Sequence, residues 1–289
     1  MEINKPIIVL GTGRSGSTVF HRLLSEHPNV GWISPICNKF PDKGYLNRML
    51  MKGVDVPGIG RKLKNKIDSG EQYGFWKYYF KGFGMPFRDL EGEDVTIKAK
   101  QDIVKAASSL ITKKRNRLSV KITGWPRIGF FNEIFDDAKF IHIVRDGRAV
   151  ANSLINKDWW LGWRGPENWR WGKLGKVFGD KWNNYGKSFI VLAAIQWEIL
   201  INSVEKARKH IKQENYLEFK YEDLCSDPVE ILRKAIEFSE LKWGKRFEKK
   251  IKKIKLKNAN YKWEQELTEK QKSILENSIK DTLKKYKYI

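Results

Sequence analysis

The chain has 289 residues and a formal net charge of +22, because 56 lysines and arginines stand against 34 aspartates and glutamates. This length is sufficient for one α/β domain with a substantial core, and no apolar run reaches the roughly 20 residues of a membrane-spanning helix. This excess of positive charge suits an enzyme with anionic ligands, and it also suits a nucleic-acid-binding protein.

The first predicted element is a buried strand over residues 7–10, followed at once by a glycine-rich turn over 11–18. A helix is predicted from 17 to 26. A glycine turn between a strand and a helix directs free backbone N–H groups and the positive end of the helix dipole to one point. The first 26 residues therefore predict a phosphate site.

Two familiar kinds of phosphate loop fit this turn incompletely. The dinucleotide fingerprint matches the glycines, but it requires a carboxylate about 20 residues further on, and residues 30–36 contain none. The nucleoside-triphosphate loop matches Gly11, Gly16 and Thr18, but Ser17 occupies the position of its lysine. Without that lysine, hydrolysis of ATP or GTP is not expected.

A third interpretation keeps the backbone cradle and places the cation at Arg14, with neighbouring hydroxyl groups as donors. This arrangement suits a nucleotide with a single 5′ phosphate group and no γ-phosphate. The alternative is a tight glycine turn that binds no ligand. The predicted ligand-binding residues of the turn are Gly13, Arg14, Ser15, Gly16, Ser17 and Thr18.

The middle of the chain predicts a second anion site. Strands are expected at 118–122 and 140–144, with helices at 127–135 and 147–156. Arg145 leaves the carboxyl end of a strand, where ligands of open α/β sheets bind, and Ser153 lies about two helical turns further on. The spacing alone does not show whether these two side chains converge.

Six of the twelve tryptophans fall within 24 residues, between Trp159 and Trp182. Indoles are large apolar groups that also stack, so this segment is interpreted either as a lid with its own small core or as a platform for a sugar or an aromatic ring. The two interpretations are compatible. An aromatic run at 73–80 is expected to cover the cleft from the opposite side.

Further alternation of elements predicts a mostly parallel sheet flanked by helices. A strand is expected at 216–219, and helices at 188–211, 228–239 and 269–286. Asp227 and Thr268 are predicted N-caps. The lysine-rich stretch 245–257 has apolar residues at helical spacing, which favours a solvated helix face over a binding patch.

The motifs at 13–18, 27–30 and 140–149, together with Ser153, resemble the PAPS-dependent sulfotransferases. The likeness is greatest to the branch of tyrosylprotein sulfotransferases and many bacterial enzymes. It continues through 221–224 and 260–263, and it is weakest at about 38–118 and 157–187. The resemblance implies one sulfotransferase domain over 1–289, of the P-loop type, with substrate-cap insertions at those two stretches.

The resemblance also assigns roles to residues. The loop at 13–18 is expected to bind the 5′-phosphosulfate of 3′-phosphoadenosine-5′-phosphosulfate (PAPS), and Arg145 with Ser153 the 3′-phosphate. Tyr221 and Lys262 match positions that touch the nucleotide. Lys121 matches a catalytic lysine, against the alternative of an ordinary surface lysine. Arg14 is the predicted stabiliser of the leaving group, 3′,5′-adenosine diphosphate (PAP).

A general base is not identified by the sequence. Tyrosylprotein sulfotransferases carry a glutamate shortly after the His27–Val30 motif, and small-molecule sulfotransferases a histidine beside the catalytic lysine, but neither is matched here. His21 and His142 are expected to pack within the structure. Asp158 is available beside the tryptophans. No His/Cys cluster with metal-ligand spacing occurs, so no metal is expected.

The sequence thus predicts transfer of a sulfuryl group from PAPS to an acceptor hydroxyl on a carbohydrate or glycolipid, or less readily on a peptide tyrosine. The alternatives are a P-loop nucleotide kinase, a basic nucleic-acid-binding protein, and a module that holds PAPS without turnover. No nucleic-acid partner, signal segment or transmembrane segment is expected. Cys37 and Cys225 are predicted to be thiols, which favours a cytoplasmic location.

Overall fold

The computed structural model describes residues 2–67, 70–84 and 87–289. Its sheet is entirely parallel, with the strand order β2-β3-β1-β4-β5. The strands are β1 Ile7–Gly11, β2 Val30–Trp32, β3 Arg117–Thr123, β4 Lys139–Val144 and β5 Tyr216–Lys220. The prediction of an α/β fold with a parallel sheet between helices is confirmed.

The helices follow the strands and fill the two connections predicted as insertions. In chain order they are α1 Ser17–Leu24, α2 Ile36–Lys39, α3 Gly44–Val54, α4 Gly60–Lys66, α5 Tyr73–Tyr79, α6 Ile97–Leu110, α7 Ile128–Ile134, α8 Gly147–Ile155, α9 Lys176–Asn184, α10 Phe189–Ala207, α11 Tyr221–Ser226, α12 Pro228–Phe238, α13 Lys245–Ile251, α14 Lys262–Glu266, α15 Glu269–Ser278 and α16 Lys280–Lys285. Short 3₁₀ helices lie at Lys81–Gly84, Gly92–Asp94, Leu161–Arg164, Arg208–His210 and Gln213–Asn215. None of the described helices is both long enough and apolar enough to cross a membrane.

Four of the five strands lie where the sequence predicts them, and β2 is the exception. It has only three residues, Val-Gly-Trp, too few to show an alternating pattern. It forms because Val30 pairs with Arg117 at the edge of the sheet. The sequence prediction missed this strand.

The helix predictions need two corrections at the carboxyl-terminal end. The predicted helix 269–286 is divided into α15 and α16 at Ile279, which has φ −124° and ψ 19° and is buried. The lysine-rich helix ends at Ile251 rather than continuing to residue 257. Both predicted N-caps are confirmed, since Asp227 accepts from the Glu230 N–H and Thr268 from the Gln271 N–H.

The core continues on both faces of the sheet because successive strand residues point to opposite sides. Ile8 and Leu10 pack with the aromatic residues of α5 and α7, whereas Ile7 and Val9 pack with α1 and α12. The first insertion is therefore part of the main core. A third cluster joins α8, α10 and α15 to buried tryptophans of the second insertion.

In a parallel sheet, all carboxyl ends of the strands lie at one edge. Gly11 of β1 pairs with Thr123 of β3 on one side, and Leu10 pairs with His142 of β4 on the other. The loops and helices that follow these strands therefore begin at the same edge and carry most of the predicted functional residues, whereas Lys121 lies within β3 and Lys262 in α14.

Candidate functional site

A cavity of about 540 Å³ lies at this carboxyl edge. Its walls come from the loop after β1, the helix α8, the segment before α5 and the segment 259–266. The lining residues are Gly13, Arg14, Gly16, Ser17, Thr18, Val19, Glu71, Thr123, Arg145, Ala149, Asn152, Ser153, Asn156, Lys157, Trp159, Tyr221, Ala259, Lys262 and Glu266. Both predicted anion sites thus open into one space.

The loop after β1 has a backbone that requires glycine at two positions. Gly13 and Gly16 have φ of +80° and +89°, and a Cβ on Gly16 would lie 2.2 Å from Cδ2 of Tyr221. Arg14 also adopts a left-handed φ of +56°, a strained conformation for a residue with a side chain. The loop is therefore held in a shape that its sequence would not adopt alone.

The open side of the loop is lined by Gly13, Arg14, Gly16, Ser17 and Thr18. Ser15 Oγ is buried and has no hydrogen-bond partner among the described residues, but it points at Gly11 beneath the loop and does not line the cavity. Backbone N–H groups at the start of a helix bind phosphate oxygens, so the residues on the open side fit the predicted nucleotide.

Arg14 joins the two predicted anion sites directly. Its Nε donates to Ser153 Oγ on α8 at 2.9 Å, and its backbone carbonyl accepts from Arg145 Nη1 at 2.9 Å. The loop after β1 and the residues after β4 are therefore in contact, which the sequence spacing could not establish.

Arg145 is buried and oriented by neutral partners. Its Nε donates to Asn260 Oδ1 at 2.7 Å, and its guanidinium lies 4.6 Å from the centroid of the Tyr221 ring. Burial lowers the pKa of Arg145, and within the described chain no carboxylate pairs with it at 4.0 Å or less. A buried cation without an ion pair is costly unless an anion accompanies it, which supports the anion-site interpretation.

Lys121 is buried in β3 rather than exposed on the surface, so the alternative of an ordinary surface lysine is wrong. Its Nζ donates to Thr18 Oγ1 at 2.8 Å and pairs with Glu71 Oε1 at 2.9 Å. It does not line the cavity itself, but both of its partners do. Lys121 thus connects the first turn of α1 with the cavity wall at Glu71.

Glu71 is a cavity-lining carboxylate that the sequence analysis did not single out. It lies between α4 and α5 and lines the cavity, where Thr123 Oγ1 also donates to its Oε1 at 2.8 Å. Burial acts to raise the pKa of this carboxyl, but Lys121 and Thr123 hold the pKa below its usual value. Glu71 is therefore ionised at neutral pH.

The other groups considered as bases lie outside the cavity lining. His21 Nε2 shares a hydrogen bond with Ser119 Oγ, and His142 Nδ1 shares hydrogen bonds with Tyr216 and Glu218. Both histidines are buried. Asp158 is exposed and does not line the cavity. The expectation that the histidines pack within the structure is confirmed.

The tryptophan-rich segment packs on the main body of the protein. Trp160 and Trp169 are buried in the core cluster that they share with α8, α10 and α15, and Trp160 Nε1 donates to Gln196 Oε1 of α10 at 2.7 Å. The interpretation as a lid with a small core of its own is therefore wrong. Trp159 is 59% exposed and lines the cavity.

The part of the cavity wall formed by α14 carries both a positive and a negative side chain. Lys262 is exposed on the wall, and Glu266 Oε2 accepts from Asn152 Nδ2 at 2.6 Å. Among the described residues, no group of three or more His, Cys, Asp or Glu side chains is arranged to hold a metal ion.

Comparison with known proteins identifies what the chain is similar to. A family model described as a sulfotransferase domain matches residues 4–287. No curated protein matches the sequence. Sulfotransferase STF9 from Mycobacterium avium has a similar structure, with a TM-score of 0.60 and 17% identity over 99% of this chain and 77% of that one.

Two further solved structures are similar at lower scores. The sulfotransferase domain from the curacin biosynthetic pathway has a TM-score of 0.51 and 13% identity over 86% of this chain and 77% of that one. Mouse sulfotransferase SULT7A1, complexed with PAP, has a TM-score of 0.46 and 13% identity over 97% of this chain and 85% of that one. The likeness to STF9 and to the curacin domain shows the fold.

Proposed function

The chain belongs to the sulfotransferase family and is a transferase enzyme, and on that premise we propose that it moves a sulfuryl group from PAPS to a hydroxyl group of a carbohydrate or glycolipid. The observation that carries this proposal is the hydrogen bond between Arg14 and Ser153. This contact supports the proposal because it joins the two loops that carry the predicted anion sites, as binding of a nucleotide with phosphate groups at both its 5′ and 3′ positions would require.

The residues present fit such a nucleotide at both ends. The backbone N–H groups of the loop after β1, the hydroxyl groups of Ser17 and Thr18, and the start of α1 suit the 5′ end. Arg145, Ser153 and Lys262 suit the 3′-phosphate, and the Tyr221 ring holds the Arg145 guanidinium in place. We assign donor binding to these residues and to Gly13, Gly16, Ser17 and Thr18.

The proposed chemistry uses three side chains. PAPS supplies a sulfuryl group whose bond to the bridging oxygen breaks as its bond to the acceptor oxygen forms, leaving the electron pair on PAP. Glu71 takes the proton of the acceptor hydroxyl on its carboxylate. Arg14 stabilises the negative charge that grows on the leaving group, and Lys121 holds Glu71 and Thr18 in position.

The proposed acceptor class rests on Trp159. This exposed indole and Glu71 line the same cavity, and an indole stacks on the apolar face of a ring. A sugar ring satisfies this arrangement because it combines an apolar face with several hydroxyl groups. A tyrosine side chain satisfies it less well because it carries a single hydroxyl. A single domain over 1–289 and a cytoplasmic location are parts of the same proposal.

The test is incubation of the full chain with sulfur-labelled PAPS and a panel of glycans, glycolipids, phenols and peptides. Label is expected in glycans or glycolipids, with PAP released in equal amount. A protein that binds ATP with magnesium more tightly than PAP would instead be a nucleotide kinase. Transfer of label only to phenols or peptides would overturn the acceptor class while leaving the donor assignment standing.

A further inference from the structure

The edge of the sheet opposite the cavity is strongly basic beside β2 and β3. The amino ends of all strands lie at this edge, and the acidic residues Asp136, Asp137, Glu214 and Glu240 lie near the starts of β1, β4 and β5. Five segments meet beside β2 and β3, and we call this surface the basic pole. They are the turn 26–29 after α1, the turn 55–59 between α3 and α4, the turn 112–116 before β3, Lys242, and α13. The helical part of the lysine-rich stretch, α13, belongs to this edge, whereas the end of the stretch returns to the cavity side, where the Lys257 carbonyl accepts from Tyr221.

Contacts between side chains hold these segments together. Glu26 pairs with Lys64 of α4 and, at 3.1 Å, with Lys250 of α13. Asp55 pairs with Arg115 at 3.0 Å and with Lys114 at 3.2 Å. The turns and helices of the pole therefore form one continuous surface.

His27 completes this framework. Its Nε2 shares a hydrogen bond of 3.1 Å with the carbonyl of Lys242, and its ring contacts Phe247 of α13 at 5.1 Å between centroids. Helix α13 is thereby fixed with its lysines outward, since Phe247 and Ile251 are buried beneath it.

The acidic residues of the pole do not neutralise it. Glu26 and Asp55 are each shared by two basic side chains, and Glu248 is shared by Lys252 and Arg233. The exposed basic residues on the five segments and the first turn of α4 are Arg61, Lys62, Lys113, Lys114, Lys242, Lys245, Arg246, Lys249 and Lys250. The surface therefore keeps a large excess of positive charge.

Apolar side chains project from the same surface. Val56 and Ile59 are 46% and 58% exposed in the turn between α3 and α4, which bends at Gly58 with φ +83°. Both lie beside exposed basic residues, since Asp55 pairs with Lys114 and since Arg61 and Lys62 follow directly in the chain.

We propose that the basic pole docks the protein on the surface of an anionic phospholipid bilayer. Lysines and arginines are attracted to acidic headgroups, and aliphatic side chains among them enter the boundary between headgroups and acyl chains. A nucleic acid would use the same lysines but would gain nothing from Val56 and Ile59, because strand binding uses aromatic stacking. The partner chemistry that accounts for both features is a lipid surface.

This inference goes beyond the proposed function and does not depend on it. The cavity opens at the carboxyl edge of the sheet and the pole lies at the amino edge, so a docked protein keeps its cavity facing away from the lipid. Vesicle binding is therefore expected to be the same with and without PAP. The acceptor would then be reached from the aqueous side, which suits a soluble carbohydrate rather than a glycolipid of the same bilayer.

The test measures co-sedimentation of the full chain with vesicles of equal parts phosphatidylglycerol and phosphatidylcholine, and with vesicles of phosphatidylcholine alone. Binding is expected only to the anionic vesicles, and to weaken with salt. The double variant K245E/K249E should lower the partition coefficient at least about tenfold. The variant V56D/I59D should lower it at least about fivefold.

Matched variants keep the test specific. K270E/K280E changes the net charge equally on exposed lysines of α15 and α16, and I97D/V177D replaces two exposed aliphatic residues elsewhere. Both should bind vesicles as the parent does. Circular dichroism establishes that all four variants are folded.

Three outcomes would overturn the proposal. One is equal binding to neutral and anionic vesicles, and another is equal loss in the matched variants. The third is tight, salt-dependent binding of a single-stranded or duplex oligonucleotide that is unaffected by V56D/I59D, which would assign the pole to nucleic acid.

Discussion

Arg14 and Ser153 are joined by a hydrogen bond of 2.9 Å between Nε and Oγ, although 139 residues separate them in the sequence. Arg145 adds a second link by donating to the Arg14 carbonyl. The loop after β1 and the helix after β4 thus share a single cavity wall. The predictions for donor binding follow from this contact.

Replacing Arg145 or Ser153 with alanine is expected to weaken PAP binding. Hydrogen bonds to a charged group contribute about 1.5–3 kcal/mol, so R145A should lose roughly 30-fold or more in affinity and S153A roughly tenfold. Isothermal titration calorimetry measures both. The control R246A removes an equal charge at the opposite edge and should bind PAP normally, and affinities within about threefold of the parent for R145A would refute the assignment.

Glu71→Gln is expected to abolish most turnover while preserving donor binding. Loss of a general base costs about 10²- to 10⁴-fold in kcat, and the amide is nearly the same size as the carboxylate. Initial rates and PAP titrations separate the two effects. Asp158→Asn, on an exposed carboxylate outside the cavity, is the control and should retain full kcat. A Glu71→Gln variant with normal kcat would remove Glu71 from the mechanism.

The pH profile should report the ion pair between Lys121 and Glu71. Because Lys121 and Thr123 hold the pKa of Glu71 below its usual value, the carboxylate stays ionised as the pH falls, and kcat/KM should decline only below the normal titration range of glutamate. In Lys121→Met, the Glu71 carboxyl stays buried but loses its neighbouring positive charge, which raises the pKa of Glu71. The acid limb of kcat/KM should therefore move to higher pH. An acid limb at the same pH in the parent and in Lys121→Met would show that the Lys121–Glu71 ion pair does not set the pKa of the base.

Gly16→Ala should damage both the fold of the loop and PAP binding. The added Cβ would lie 2.2 Å from Tyr221 Cδ2 in a backbone with φ +89°, so we expect a loss of about 1–3 kcal/mol in unfolding free energy. Denaturant unfolding measures it. Gly179→Ala is the control, because its Cβ meets nothing within 4 Å in α9. That variant should be unchanged or more stable by about 0.5–1 kcal/mol, and equal effects at both glycines would contradict the argument.

Two adjacent tryptophans should behave differently. Trp159→Ala is expected to raise KM for the acceptor with little change in stability, since Trp159 is 59% exposed and lines the cavity. Trp160→Ala removes a buried indole and its hydrogen bond to Gln196, and should cost about 3–5 kcal/mol in unfolding free energy. Steady-state kinetics and thermal unfolding distinguish them. An unchanged acceptor KM in Trp159→Ala would show that the acceptor does not stack on Trp159.

The features that the sequence predicted are those with local causes. The apolar run of β1, the glycine turn and α1 are consecutive, and Arg145 follows directly on β4, so each could be recognised from a short window. Strand β2 could not, because its three residues form a strand only through pairing with β3.

Glu71 had no local signal for the same reason. Its partners, Lys121 and Thr123, are on β3, and only the folded insertion brings them together. The resemblance predicts a base either shortly after the motif at 27–30 or beside Lys121, and neither stretch contains one. A carboxylate supplied by a distant loop is visible only in three dimensions.

The position of Glu71 has a consequence for how such an enzyme can diversify. Apart from Lys262 on α14, the groups assigned to the donor lie on the loops and helices that begin where β1, β4 and β5 end, whereas Glu71 belongs to the long connection between β2 and β3. If the proposed roles hold, substitutions in that connection would change the acceptor or the proton acceptor and leave donor binding intact. The two halves of the reaction would then be open to separate alteration along the polypeptide.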